Sequence, residues 1–418
     1  MDIIKIYKLF LENHTVFTDS RKIKGKGIFF ALKGENFNGN KFVDNALKAG
    51  ATYCIVDEKK IANKKNIIYV NDSLKTLQDL AIFHRNQLSI PIIGITGSNG
   101  KTTSKELISQ VLKSEINCYS TKGNLNNHIG VPLSILEINS KHKVAVIEMG
   151  ANHLNEINFL CNISKPTHGI ITNIGSAHLQ GFKNIDGVIK TKNELYEYIK
   201  RSEGLLFVNN EDKLLKKLSS NIERITYGLN GIYKGKPLVN DDYIEIKYKN
   251  QNIFSRLIGD FQFYNIMLAI CVGEHFMINL NNIKKAIKNY LPKNNRSEII
   301  KTKKNTIILD AYNANPSSMK AMIMSFSNKK YKNKLCILGD MLELGNYSYE
   351  EHLNIIKIVN NLNLKVIFIG KEFSSVNSDA FENRVFFEDY LKNNPIKNHT
   401  ILLKGSRSMS LEKLTKYL

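Results

Sequence analysis

Short apolar runs rich in β-branched residues recur along this chain, and stretches of helical period separate most of them. Residues 28–32 and 53–56 predict strands, with a helix over 42–49 between them. Residues 92–95 predict a buried strand bounded by Pro91. From Lys101 the period becomes helical, with Leu107, Ile108, Val111 and Leu112 on one face. Further strands are predicted over 144–147, 169–174 and 205–208, and amphipathic helices over 186–199 and 261–276. Residues 243–247 and 253–258 flank Asn250-Gln251-Asn252 and predict a hairpin. Residues 292–296 read as a linker. Beyond it, strands over 306–310, 335–338, 365–369 and 401–403 alternate with helices from Ser317, Tyr349 and Met409. This alternation predicts an α/β protein with doubly wound parallel sheets. The units expected are residues 1–88, 89–295 and 296–418.

Composition narrows the class. A chain of 418 residues, 43% hydrophobic and 23% charged, has material for two to four globular domains. No apolar run is long enough to cross a bilayer, and the opening MDIIKIYKLF lacks the layout of a signal peptide. The five cysteines are scattered with no C-x-x-C pair, which favours reduced thiols and a cytoplasmic protein. The net charge of +21 invites a nucleic-acid reading. Lysine is spread over the whole chain, however, with no basic stripe interleaved with aromatics. A solvated lysine-rich surface is expected, and no nucleic-acid partner.

Candidate chemistry gathers where strands end. Thr96-Gly-Ser-Asn-Gly-Lys-Thr-Thr103 sits between the strand at 92–95 and the helix from Lys101. Strand, glycine turn, Lys-Thr and helix form a phosphate cradle. Backbone N–H groups of Gly97, Ser98, Asn99 and Gly100 and the helix N-terminus face an anion. Lys101 reaches the outer phosphates, and Thr102, followed by Thr103, offers a hydroxyl to Mg²⁺. The pattern is shorter than the common G-x-x-x-x-G-K-[ST] form, since residue 95 is Ile. Glu148 closes the strand at 144–147, where such a protein needs a metal ligand. His178 follows the strand at 169–174 and is given metal binding over a structural role. Lys192, on a helix, is ordinary by sequence. Arg21 after Ser20 has the means to bind a phosphate but alone reads as a surface arginine.

These blocks, taken in order, resemble one family over nearly the entire chain: the Mur ligases of peptidoglycan synthesis. The resemblance is carried by Thr96–Thr103 with Gly123-Asn-Leu-Asn-Asn127, Ile147-Glu-Met-Gly-Ala-Asn152, Ala177-His178, Asp310-Ala-Tyr-Asn-Ala-Asn-Pro316, Leu338-Gly-Asp-Met-Leu-Glu-Leu-Gly345 and Lys404-Gly-Ser-Arg407. It implies three domains: a small UDP-sugar-binding α/β domain, a central phosphate-loop ligase domain and a C-terminal Rossmann-like domain.

It also implies ATP-dependent amide formation, with D-Ala-D-Ala joined to a UDP-N-acetylmuramoyl-tripeptide through an acyl phosphate. Lys101 would neutralise the phosphates, while Thr102, Glu148, His178 and a carbamylated Lys192 would hold two magnesium ions. Asn265 would lie near the adenine, and Arg296 and Asp310 would contact ATP, with Tyr312 and Asn313 beside them. Asn124, Asn126 and Asn127 would line the path of the acyl substrate. Ser20 and Arg21 would hold the UDP end, and Lys404, Ser406 and Arg407 the dipeptide carboxylate. A cytoplasmic monomer is expected. The alternatives are a sister ligase adding a single amino acid, including the folylpolyglutamate type, a phosphate-loop switch or nucleic-acid ATPase, and a non-catalytic homologue.

Overall fold

The computed structural model describes residues 2–238 and 243–418. Three parallel or mostly parallel sheets follow one another along the chain. The first contains Val16–Phe17, Ile28–Phe30, Tyr53–Val56 and Ile67–Tyr69, all parallel and in that spatial order. The helix Ser73–Asn86 packs Leu77, Leu80 and Ala81 against Ile6 and Phe10 of the helix Ile3–Asn13. Arg85 ties this unit to the next, donating to the carbonyls of Ser164 at 2.8 Å and Lys165 at 2.9 Å, and also bonds Leu88 O within its own unit at 2.7 Å.

The central sheet has nine strands among the described residues. Its order runs Gln251–Phe254, Glu245–Tyr248, Tyr233–Leu238, Arg224–Gly228, Leu205–Asn209, His168–Ile171, Ile92–Thr96, Val144–Glu148 and Cys118–Ser120. The strands from Tyr233–Leu238 to Cys118–Ser120 are parallel, and the two at the other end are antiparallel. Ile92–Thr96 and Val144–Glu148 are buried along their full length. Their unbroken apolar runs follow from that, because helices cover both faces of a parallel sheet. The helix Lys101–Leu112 buries Leu107, Ile108, Val111 and Leu112, the face read from the sequence, in one cluster with the helix Gln262–His275.

The third sheet runs Glu298–Lys301, Thr306–Asp310, Thr400–Lys404, Lys334–Gly339 and Lys365–Ile369. Only its first pair is antiparallel. Pro316–Asn328 begins with Pro at its first turn, under an Asn315–Ser318 capping box. Residues 290–297 form neither helix nor strand, as the linker reading required.

Two elements differ from expectation. The hairpin pairs Glu245–Tyr248 with Gln251–Phe254 through a turn at Lys249 and Asn250, both with positive φ (44° and 59°). A two-residue turn of that kind matches strand twist, so pairing starts earlier than the Asn-Gln-Asn loop suggested. Instead of a helix from Met409 there are two 3-10 segments, Arg407–Met409 and Leu411–Lys416. Ser410 between them sits at φ 51°, which interrupts α-helical progression. All five cysteines are free and buried. Among the described residues no helix is long and apolar enough to cross a membrane.

Candidate active site

Ile92–Thr96 lies between His168–Ile171 and Val144–Glu148. The chain leaves Ile92–Thr96 toward Cys118–Ser120 and leaves Val144–Glu148 toward His168–Ile171, in opposite directions across the sheet, which opens a crevice beyond the carboxyl ends of these strands. The glycine turn occupies that crevice. Gly97 has φ 141°, and a Cβ there would stand 2.0 Å from Thr172 Oγ1 and 3.1 Å from Thr172 N. Only glycine lets the loop cross at that height. The loop is pinned to the next strand's exit. Ser98 Oγ donates to Gly175 O at 2.9 Å, Asn99 N donates to Asn173 Oδ1 at 3.0 Å, and Thr172 Oγ1 donates to Asn99 O at 2.6 Å. The helix Lys101–Leu112 then starts without a side-chain cap. Its first N–H groups therefore remain available to an anion, with the positive end of the helix dipole behind them.

Lys101 Nζ donates to Gly97 O at 2.6 Å and Ser98 O at 3.3 Å, folding over its own loop. Lost hydration at this ammonium lowers its pKa, Glu148 opposes the shift, and Arg296 adds to it. Glu148 is 2% exposed. Its Oε1 accepts from Thr102 Oγ1 at 3.2 Å and Asn126 Nδ2 at 2.9 Å. Its Oε2 has no hydrogen bond and lies 3.4 Å from Lys105 Nζ. Lys192 is also 2% exposed, and its Nζ faces the Phe182 ring at 5.4 Å. Burial, then the nearby Lys101 charge, pulls its amine down to about 7 against the opposing pull of Glu156 and Glu194.

The C-terminal unit closes the far side of a cleft of about 470 Å³. Arg296 stacks over Tyr312 at 3.5 Å from the ring centre. Asp310 accepts from Ser297 N at 3.1 Å and from Lys404 Nζ at 2.6 Å. Asn99 bridges the two units, accepting from Asn315 Nδ2 at 2.8 Å and donating to Ser317 Oγ at 3.0 Å.

Of the residues singled out from sequence, Ser98–Thr103, Asn126, Glu148, His178, Asn265, Arg296, Asp310, Tyr312, Asn313 and Lys404 share the wall of this cleft. Gly97, Asn124, Asn127, Lys192, Ser406 and Arg407 do not line it. Asn127 Oδ1 accepts from Gly130 N at 2.9 Å at the start of a helix, and Ser406 Oγ accepts from Leu342 N at 3.0 Å. Asn124 and Arg407 are exposed, the latter 5.7 Å from the Tyr312 ring centre. Ser20 and Arg21 lie on the first unit, outside this cleft, where Arg21 grips Asp19 through two hydrogen bonds of 2.9 Å. Asn265 donates to Gln262 Oε1 at 2.7 Å and accepts from Ser104 Oγ at 3.0 Å, so it also braces the phosphate-loop helix.

His178 turns toward the C-terminal unit, with Nδ1 2.5 Å from Glu343 Oε2. This contact holds the Glu343 carboxyl below its ordinary range. Sequence reasoning missed the roles of Lys105 and Glu343. Lys105 stands four residues after Lys101, on the same helix face, and that spacing was the available signal. Nothing local marked Glu343 as the partner of His178.

Three family models match consecutive stretches of the chain. They are the Mur ligase family catalytic domain over residues 12–85, the Mur ligase middle domain over 95–273, and the Mur ligase glutamate ligase domain over 295–406. The UDP-N-acetylmuramoyl-tripeptide–D-alanyl-D-alanine ligase of Bacillus subtilis is 33% identical, over 97% of this chain and 93% of its own. The crystal structure of MurF from Acinetobacter baumannii superposes with a TM-score of 0.85 at 28% identity, covering 96% and 92% of the two chains. MurF ligase from Thermotoga maritima, solved in complex with ADP, gives 0.85 at 26% identity and 97% coverage of each.

Glu148 and Lys105 are a buried pair, so removing one partner leaves an uncompensated charge. Lys105→Met is expected to lower unfolding free energy by about 3–5 kcal/mol, read by urea denaturation. Adding Glu148→Gln to it is expected to restore much of that loss.

Proposed function

We propose that this chain, which belongs to the Mur ligase family, is an ATP-dependent, ADP-forming ligase that joins D-alanyl-D-alanine to UDP-N-acetylmuramoyl-tripeptide. The observation that carries the reading is the Glu148 carboxylate, held against the Thr102 hydroxyl at the mouth of the phosphate loop. Relatives covering 94–97% of this chain, and named for this dipeptide, support it over a ligase that adds a single amino acid.

A carboxylate acylates poorly because its leaving group is oxide. The tripeptide carboxylate oxygen therefore attacks the γ-phosphorus, the bridging P–O bond breaks, and ADP leaves. The dipeptide amine attacks the resulting acyl phosphate, and phosphate departs as the amide forms. Charge builds on the phosphoryl oxygens, so the protein contributes mainly position and cations. Lys101 and the helix N-terminus receive the phosphates. Arg296 and Asp310 meet ATP from the opposite wall, with Tyr312 and Asn313 beside them, and Asp310 also orients Lys404. Asn126 sits where the acyl group must approach Glu148, with Asn124 and Asn127 on the same loop outside. Ser20 and Arg21 take the UDP end, and Lys404, Ser406 and Arg407 serve the dipeptide carboxylate. Residues 1–88, 89–295 and 296–418 act as three bodies of a monomer. Nucleotide-linked substrates and buried free thiols favour the cytoplasm.

Among the described residues no three His, Cys, Asp or Glu side chains cluster as a ready metal cage. Magnesium fits this, because it takes few protein ligands and relies on water and phosphates. Thr102 and Glu148 offer hard oxygens, one of them without a hydrogen bond. They would hold one ion, with His178 and a carbamylated Lys192 toward a second. Magnesium when bound supplies charge neutralisation at the transferring phosphoryl. Lys192 suits carbamylation because CO₂ adds only to a neutral amine, and its pKa near 7 leaves a large neutral fraction.

Phosphate release from ATP with the UDP-linked tripeptide is expected to depend on D-Ala-D-Ala, and single amino acids are expected not to replace the dipeptide. Equal stimulation by a single amino acid would move the assignment to a sister ligase. Lys192→Ala is expected to lose activity at least about tenfold, with partial rescue by a small carboxylate. The neutral fraction of Lys192 rises as pH climbs through about 7. Bicarbonate-dependent activation should rise over the same range, and a pH-independent response would contradict the assignment.

A further inference from the structure

His178 and Glu343 belong to different bodies. His178 stands in the loop after His168–Ile171 of the central sheet, and Glu343 in the loop after Lys334–Gly339 of the C-terminal sheet. Nδ1 and Oε2 are 2.5 Å apart, and Gln180 N donates to Glu343 O at 3.1 Å beside them. Both residues sit at positive φ, 54° and 65°, a region that side chains with a Cβ avoid. Such conformations persist where the surroundings over-determine them, and they cluster at working sites.

The Glu343 loop is braced from behind. Asp340 accepts from Glu372 N at 3.1 Å and Phe373 N at 3.0 Å. Met341 N donates to the buried His352 Nε2 at 3.1 Å. The ring N–H direction is not aligned for a hydrogen bond to Glu343, but a carboxylate accepts only, so a neutral His178 at this separation avoids lone-pair repulsion with its proton on Nδ1. Nε2 then keeps its lone pair. No protein group among the described residues bonds Nε2, and His178 lines the cleft. A carboxylate behind an imidazole fixes both ring orientation and tautomer.

We propose that Glu343 is a positioning residue acting across the two bodies: it sets the tautomer and direction of His178, so that this ring serves the cleft only when the C-terminal body is seated. The catalytic consequence rests on the ligase reading above, whereas the tautomer does not.

The test uses the full chain labelled with ¹⁵N-histidine, with ATP present, at a pH of about 8. Two-bond ¹H–¹⁵N correlations are expected to show His178, assigned with His178→Gln, as the Nδ1–H tautomer. Glu343→Ala should shift it toward Nε2–H, and Glu343→Gln, whose amide oxygen can accept, should keep Nδ1–H. In turnover, Glu343→Ala is expected to lower kcat by about 10–100-fold with KM for ATP within about twofold, and to add less than about twofold in a His178→Ala background. An Nε2–H tautomer in the unsubstituted protein, or an Ala variant with an unchanged tautomer, would overturn the proposal. So would a full additive loss in the His178→Ala background. If the unsubstituted protein shows no D-Ala-D-Ala-dependent turnover, the ligase reading fails and the NMR result still decides the pair.

Discussion

A carboxylate taken out of water must be held by donors or give up its charge. Glu148, 2% exposed at the end of a central strand, is held by the Thr102 hydroxyl, the Asn126 amide and the Lys105 ammonium. Each of these comes from an element that the phosphate chemistry also needs. Thr102 opens the phosphate-loop helix, Asn126 lies in the amide-rich loop, and Lys105 is one turn further along the same helix. The desolvation of one acid therefore fixes the mutual placement of three segments. It also leaves one carboxylate oxygen without a hydrogen bond, beside the hydroxyl suited to a divalent cation.

The second constraint is that an acyl phosphate survives only away from water. The cleft is walled from two sheets whose strand ends face each other. The bridge between them is built mostly from neutral amides and hydroxyls: Asn99 with Asn315 and Ser317, and Asp260 N with Ser325 Oγ at 3.0 Å. Each of these contacts is modest in energy and exchangeable with water. Hydrogen bonds of this kind break and re-form readily as bodies open and close during turnover. The first unit, by contrast, is locked to the central one through the buried Arg85, which donates to the carbonyls of Ser164 and Lys165.

What sequence made legible followed from local rules. Strands buried on both faces read as apolar runs, as at Ile92–Thr96, and the helix expected from Ser317 is the one observed over Pro316–Asn328. The Mur-type blocks placed the cleft wall well, because residues at the carboxyl ends of parallel strands converge by topology. The contacts across bodies were not legible. Glu343 meets His178 from 165 positions away, and only the packing of two separate sheets brings them together. Lys105 was not singled out, and its role rests on burial against Glu148, which only the packing shows. The 3-10 tail after Arg407 turned on one backbone torsion at Ser410, which no period in the sequence encodes.

If Glu148 is the fixed anionic member of a nucleotide–magnesium centre, its charge must couple the two ligands. The direct measurement is ATP binding by calorimetry, with and without Mg²⁺, to the unsubstituted protein and to Glu148→Gln. The account predicts that Mg²⁺ strengthens ATP binding to the unsubstituted protein and that Glu148→Gln, measured below its own thermal midpoint where it remains folded, loses most of that enhancement. An identical magnesium dependence in both proteins would contradict it.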